Sequence, residues 1–297
     1  MPTGDALIDT HIEIFTARTT ALDVFAAPDD EARPLALRHP DNDAQLLRVA
    51  VAQCDAVLGE TAHNTRRLRE MLQTAVDHGA RLAVFPQAAI SGYNAATRHD
   101  ALQNAIDPDG EEIADIAATC ARLQLYAVIG SLTRADGILR DSAFLFGPEG
   151  VLGQYDRAHT NKRGADAFIQ PGHAGFVVYQ TPIGKIGLLV GRDLYFPSAA
   201  HALASREVEI IAAPCAWTAE DWPAPEFVAR TRAYENTSFI LAATRVGEER
   251  GLNYIGRSCI IAPNGIHLAN AYPDEEHLII ADINLRDAQI KLFGDDD

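Results

Sequence analysis

The feature that most constrains the fold of this chain is an apolar segment that ends in a polar turn. Residues 185–190 (KIGLLV) predict a buried strand, the turn Gly191-Arg192-Asp193 follows at once, and Pro197 begins a helix. A turn of this kind lies at the carboxyl end of a buried strand, where α/β proteins place their chemistry. We therefore expect the function to converge on Gly191.

Size and charge narrow the class of protein. A chain of 297 residues that is 47% apolar can bury one large core, so we expect one large α/β domain. The net charge of -16 argues against nucleic acid or an anionic membrane as a partner, because both would repel such a surface. No apolar run approaches the ~18 residues that a membrane span needs.

The four cysteines lack the spacing of a metal site, and no C-x-x-C occurs. We read them as reduced thiols and expect neither a metal nor an organic cofactor. The N-terminus shows no secretory signal pattern, so the expected location is the cytoplasm.

Strand and helix patterns alternate from residue 47 onward. Residues 1–46 show no sustained periodicity and are predicted to be an N-terminal extension, with one domain over 47–297. Asn64 is predicted to cap the first helix. Two hairpins are predicted, with turns at 147–150 (GPEG) and at Asn264-Gly265. This layout predicts an α/β fold with a mixed sheet.

Several motifs occur in a fixed order. They are Val84-Phe85-Pro86, Ser91-Gly92-Tyr93, Pro171-Gly172, Arg192-Asp193-Leu194 with Phe196-Pro197, Ala213-Pro214-Cys215-Ala216-Trp217, and Arg232-Ala233 with Glu235-Asn236. In this order they resemble the nitrilase (carbon–nitrogen hydrolase) superfamily over roughly residues 47 to 287. The resemblance implies a four-layer αββα sandwich of two mixed β-sheets flanked by helices. It also implies a homodimer or a higher homo-oligomer.

The resemblance implies a catalytic Glu-Lys-Cys triad, and this chain departs from it at all three positions. Gln87 stands in the glutamate position, Arg157 in the lysine position and Gly191 in the cysteine position. Glutamine cannot accept a proton at any useful pH, arginine will not donate one, and glycine offers no nucleophile. We therefore predict a pseudoenzyme without amidase or nitrilase activity.

Six further residues are predicted to line or anchor the pocket: Tyr93, His159, Arg192, Asp193, Cys215 and Trp217. Cys215 is either a relocated nucleophile or, more commonly for such a residue, an inert core thiol. Arg157 and Arg192 either bind an anionic ligand or pair with Asp193 and Asp166.

Three functions stay open at this stage. The first is a binding or regulatory protein for a small polar molecule, with an anion as one option, or a subunit in complex with a partner enzyme. The second is an enzyme of altered chemistry, such as cyclisation, condensation or elimination, that needs no thioester. The third is hydrolysis through Cys215.

Overall fold

The computed structural model describes residues 13–17, 46–161 and 164–289. Fifteen strands and six α-helices occur in this part of the chain. In order they are β1 (Glu13–Ala17), β2 (Leu46–Gln53), α1 (Thr61–Asp77), β3 (Leu82–Val84), α2 (Arg98–Asn104), α3 (Glu111–Leu123), β4 (Tyr126–Ala135), β5 (Ile138–Gly147), β6 (Gly150–Asp156), β7 (Val178–Thr181), β8 (Gly184–Leu188), α4 (Pro197–Ala204), β9 (Ile210–Pro214), α5 (Ala229–Asn236), β10 (Phe239–Ala243), β11 (Glu248–Glu249), β12 (Leu252–Asn253), β13 (Cys259–Ile261), β14 (His267–Asn270), β15 (His277–Asn284) and α6 (Arg286–Gln289).

The strands form two large mixed sheets. One has the order β1-β15-β2-β3-β4-β5-β6 and the other β14-β13-β10-β9-β8-β7. Each contains three neighbouring parallel strands, β2-β3-β4 in one and β10-β9-β8 in the other, with antiparallel strands on both sides. The predicted mixed α/β layout and both predicted hairpins are confirmed.

Alternation along the strands produces the four layers. On β2, Val49 and Val51 belong to a core shared by the two sheets, whereas Ala50 and Ala52 pack on the opposite face with residues of α1 and α3. On β9, Ile210 faces the shared core and the next residue faces α4 and α5. Because side chains alternate between the faces of a strand, each sheet buries both of its faces. The predicted αββα sandwich is confirmed.

Local expectations differ from the structure at three places. Helix α1 begins at Thr61, so Asn64 is not its cap; the Asn64 side chain instead bonds to the backbone of Val57 and Ile90. The sequence pattern also predicts one helix from Pro223 to about Asn236, but residues 224–228 form a π-helical turn before α5.

The third difference lies in the N-terminal extension. Residues 13–17 form β1, which pairs in parallel with β15 at the edge of the first sheet. The remainder of residues 1–45 lies outside the described residues. Within the described part of the chain, no helix is long and apolar enough to cross a membrane.

The ends of strands from both sheets converge on Gln87 and Gly191. Gln87 follows β3 of one sheet and Gly191 follows β8 of the other. Gly130 on β4 lies directly beneath this point: a Cβ added to it would lie 2.7 Å from Gln87 Cα and 2.7 Å from the Pro86 carbonyl oxygen. Both contacts are with backbone atoms, which could shift only at a considerable cost in free energy. Gly130 therefore allows the backbone of Gln87 to lie against the sheet.

Gly130→Ala should destabilise the protein by roughly 1–3 kcal/mol, because the methyl group overpacks against backbone. Urea unfolding measures the loss, and a crystal structure of the variant should show Gln87 displaced. Gly137→Ala is the matched control, since nothing lies within 4 Å of an added Cβ there and any cost arises from its positive φ of 72°. Unchanged stability and an unmoved Gln87 in Gly130→Ala would contradict this account.

Candidate functional site

A cavity of about 310 Å³ opens between the carboxyl ends of the strands of the two sheets. The three positions that depart from the implied triad, Gln87, Arg157 and Gly191, all line it. The other lining residues are Tyr93, Asn94, Asn161, Ala165, Asp166, Arg192, Tyr195, Ala216, Trp217, Thr218, Glu220, Asp221, Leu252 and Tyr254. We call this cavity the central pocket.

Gly191 lies next to the Gln87 side chain in the wall of the central pocket. Its φ of +45° lies in the left-handed region, which residues with a Cβ adopt at a cost. A Cβ added to Gly191 would lie 2.4 Å from Gln87 Oε1. Any side chain at position 191 would therefore be aimed directly at the Gln87 amide.

The amide of Gln87 is held in one orientation. Its Nε2 donates to Asp141 Oδ2 over 2.5 Å, and its backbone N–H donates to the Cys215 carbonyl over 3.2 Å. The carbonyl oxygen Oε1 faces Gly191 and accepts no hydrogen bond from the described residues. Gln87 therefore presents an acceptor to the central pocket.

Asp141, behind Gln87, is a residue of the site that the sequence analysis missed. It lies on β5, is 1% exposed, and its Oδ1 has no hydrogen-bond partner. Burial raises the pKa of Asp141 to about 7; Arg157 opposes this rise, and the nearby Asp166 adds to it. The one signal in the sequence was a carboxylate, between Arg140 and Ser142, in a strand whose other residues are apolar or glycine.

Arg157 is buried between two carboxylates. Its Nε lies 3.1 Å from Asp141 Oδ2, and its Nη2 donates to Asp166 and, over 3.3 Å, to the Tyr93 hydroxyl. The Tyr93 hydroxyl in turn donates to Asp166. Of the two alternatives for Arg157, the structure shows pairing with a carboxylate, to Asp166 as expected and to Asp141 in addition.

Arg192 and Asp193 point in opposite directions from the same turn. Arg192 is exposed and lines the central pocket, with no ion-pair partner among the described residues. Asp193 is fully buried and accepts hydrogen bonds from the Tyr155 hydroxyl (2.6 Å), from the backbone N–H of His159 (2.8 Å) and from His159 Nδ1 (2.7 Å). The His159 ring stacks on Phe196 with 3.8 Å between centroids. Asp193 and His159 therefore lie behind the pocket wall and join the turn at Gly191 to the end of β6.

Cys215 also lies behind the wall. It is 0% exposed and packs among apolar side chains of the second sheet and its helices. Burial raises the pKa of its thiol well above the usual range, although the backbone N–H of Gly191, donating to the sulfur, acts in the opposite direction. Cys54, Cys120 and Cys259, which complete the four cysteines of the chain, are buried and unpaired as well.

Three of the six predicted pocket residues, Tyr93, Arg192 and Trp217, line the central pocket. The backbone N–H groups of Tyr93 and Asn94 donate to Glu249, which also pairs with the buried Arg245 over 2.9 Å. Glu249 thus ties the loop after β3 to the β11–β12 hairpin across the pocket mouth. The sequence analysis missed Glu249.

No group of three or more His, Cys, Asp or Glu side chains in the described ranges is arranged to hold a metal ion. The site therefore offers hydrogen bonds and charges, but no recognisable metal centre in this part of the chain.

The chain is similar in sequence to proteins of the carbon–nitrogen hydrolase family. The carbon–nitrogen hydrolase family model matches residues 48–290. A nitrilase of Pyrococcus abyssi is 31% identical over 251 residues, which is 84% of this chain and 94% of the relative. A deaminated glutathione amidase of Yersinia enterocolitica is 31% identical over 214 residues, covering 66% of this chain and 73% of the relative.

Among solved structures, an amidase from Nesterenkonia sp. superposes with a TM-score of 0.72 at 21% identity, covering 83% of this chain and 93% of that chain. One solved form of that amidase carries a covalent adduct at its active-site cysteine. At this identity the likeness concerns the fold alone.

The raised pKa of Asp141 predicts a particular pH dependence of stability. Because this carboxyl binds its proton more tightly in the folded state than the ~3.9 of an unfolded aspartate, its contribution is fully present below about pH 4 and is lost as the pH rises through about 7. Between pH 5 and 8 the wild type should therefore lose roughly 3 kcal/mol relative to Asp141→Asn.

Urea unfolding of both proteins at pH 5, 6, 7 and 8 measures the difference. Asp115→Asn, at a half-exposed carboxylate on α3, is the control and should run parallel to the wild type. A constant gap between the wild type and Asp141→Asn would show that Asp141 does not titrate in this range.

Proposed function

The chain belongs to the carbon–nitrogen hydrolase (nitrilase) superfamily, and we propose that it is a member without Glu-Lys-Cys hydrolase activity. In this proposal it uses the central pocket to bind a small polar molecule, either as a binding protein or as the regulatory subunit of a partner enzyme. The scaffold around the pocket is complete, whereas none of the three triad positions carries the group that the chemistry requires.

One observation carries this proposal: no thiol reaches the central pocket. All four cysteines are buried, and none lines the cavity. Gly191 itself faces Gln87 with no side chain between them. A thioester route needs an accessible thiolate, and a buried thiol with a raised pKa does not supply one.

Hydroxyl groups in the central pocket do not replace the thiol. Those of Tyr93 and Tyr195 donate to Asp166 and Asp221, and burial together with these partners raises both pKa values. The Thr218 hydroxyl donates to Asp221 as part of a turn cap. Each hydroxyl therefore keeps its proton and serves as a hydrogen-bond donor.

The charges that line the central pocket favour a polar ligand of low net charge. Arg157 is neutralised by Asp141 and Asp166, which removes it as a free anion-binding group. Arg192 remains exposed to the cavity, but Glu220 and Asp221 line the same wall. An anionic ligand would therefore rely on Arg192 alone, and we propose a neutral molecule that meets the Gln87 acceptor.

Altered chemistry on the same molecule is the second candidate. It is favoured by the open cavity, because loss of the triad has left polar, hydrogen-bonded walls in place of apolar filler. In this case a bound molecule would be converted by the wild type and not by Gln87→Ala.

We also propose a cytoplasmic homodimer. Three exposed aromatic side chains lie close together in sequence: Trp222 precedes the π-helical turn, Phe227 lies on that turn and Tyr234 lies on α5, with exposures of 55%, 59% and 48%. Exposed apolar clusters of this kind mark protein interfaces. The four unpaired cysteines support a reducing compartment.

The proposed loss of hydrolysis predicts that the purified protein releases no ammonia from propionamide or acetonitrile above the buffer background. The expected rate is at least about a thousandfold below that of a competent relative, because removing a nucleophile removes most of the catalysis. The Pyrococcus abyssi nitrilase is the positive control for the assay.

Cys215→Ser is the matched variant in the same assay. It should behave like the wild type, and intact-protein mass spectrometry after exposure to fluoroacetamide should show no adduct on either. Ammonia release by the wild type that Cys215→Ser abolishes would overturn the proposal in favour of hydrolysis through Cys215.

The proposed dimer predicts that Phe227→Glu weakens self-association about tenfold or more, because a charge would be buried in an apolar contact. Sedimentation equilibrium measures the dissociation constant. Val151→Glu, 47% exposed on β6, is the control and should leave association unchanged. Equal association of both variants would place the interface elsewhere.

A further inference from the structure

We propose that Asp141 is a positioning residue that decides which end of the Gln87 amide faces the central pocket. In this way it makes the pocket selective for ligands that donate an N–H group towards Gly191. The inference deepens the proposed function, because it names what the site selects. Its first test uses no ligand, so it can fail or succeed independently of that function.

The geometry rests on a short chain of contacts. Asp141 Oδ2 accepts from Gln87 Nε2 at 2.5 Å, which turns Gln87 Oε1 towards Gly191. An ionised carboxylate can only accept hydrogen bonds, so it holds the NH₂ end of the amide and excludes the carbonyl end. Gln87 and Gly191 both line the cavity, and Gly191 has no side chain that could cover Oε1, so we place Oε1 at the cavity wall.

Protonation of Asp141 would change this arrangement. A neutral carboxyl group carries an O–H, which can donate to Gln87 Oε1 after the amide rotates by a half turn. The NH₂ end would then face Gly191, and the central pocket would offer a donor where it had offered an acceptor. The pocket would therefore change the kind of ligand that it selects.

Burial and the charged groups around Asp141 together place its protonation near neutral pH. Burial raises the pKa of Asp141 to about 7. The titratable and charged groups around this carboxyl come from several elements packed against β5. Three of them act on Asp141: Arg157 after β6, Asp166 in the 3₁₀ turn at 164–168 and Asp193 in the 3₁₀ turn at 191–195. Two others, Tyr93 after β3 and Cys215 after β9, are themselves acted on by Asp141. Arg157 favours the ionised form, whereas Asp166 and Asp193 oppose it.

The test follows the side-chain NH₂ resonances of Gln87 by ¹H–¹⁵N NMR between pH 5 and 9, assigned by their disappearance in Gln87→Ala. We expect them to shift with a midpoint near pH 7 in the wild type. In Asp141→Asn the midpoint should be lost, since asparagine is matched in size and does not titrate. Asp166→Asn should retain a midpoint, displaced to lower pH because a negative neighbour of Asp141 is gone.

A purely structural role for Asp141 would lower stability without producing a titration of the Gln87 amide. Resonances that do not move with pH in the wild type, or that move identically in Asp141→Asn, would overturn the proposal.

Two neutral isosteric probes, acetamide and acetone, test the selectivity itself. Acetamide carries an NH₂ group where acetone carries a CH₃ group, so only acetamide can donate a hydrogen bond to Gln87 Oε1. At pH 8 the wild type should therefore bind acetamide roughly 2- to 12-fold more tightly than acetone, which corresponds to one net hydrogen bond. The preference should shrink at pH 5.5, and in Asp141→Asn it should not depend on pH. Equal affinities at pH 8 would refute the selectivity.

If the Gln87 resonances titrate as expected but neither probe enters the pocket, Asp141 is a positioning residue and the proposed binding function fails.

Discussion

The candidate site depends on one buried guanidinium group. Arg157 lies almost without solvent contact between Asp141 of β5 and Asp166 of the 3₁₀ turn at residues 164–168. A buried charge is tolerated only when its partners and hydrogen bonds compensate for lost hydration. Strand β5, the end of β6 and the 3₁₀ turn are therefore held in one arrangement, which sets the shape of the pocket wall.

Gln87 connects the buried ion pairs of Arg157 to the cavity, because it bonds to Asp141 and lines the central pocket. Its backbone is fixed between Gly130 and the Cys215 carbonyl, and its amide is fixed by Asp141. Together these contacts explain why the pocket wall is ordered at Gln87. The amide keeps a hydrogen-bonding role that an apolar residue of similar size could not take.

The fold and the location of the site could be predicted from the sequence, but the partners within the site could not. The alternation of strand and helix patterns predicted the mixed α/β layout, and the ordered motifs, through the family that they resemble, implied the four layers. Asp141 was missed because a carboxylate in a strand, here between Arg140 and Ser142, does not reveal what lies opposite it. Glu249 was missed for the same reason: its partners at residues 93 and 94 are more than 150 positions away. Asp193 and His159 were predicted to line or anchor the pocket; Asp193 is buried behind the pocket wall, and the partly exposed His159 bonds to it there.

The conformation at Gly191 bears on how such a protein evolves. A cysteine introduced at that position of this chain would have to occupy left-handed backbone and would press against the neighbouring amide oxygen, so it would cost strain unless Gln87 moved. With no side chain at position 191, the neighbouring amide lies closer than a sulfur atom would permit. A thiol could therefore be accommodated there only together with a change at Gln87, so a single substitution would meet a barrier that a paired change avoids.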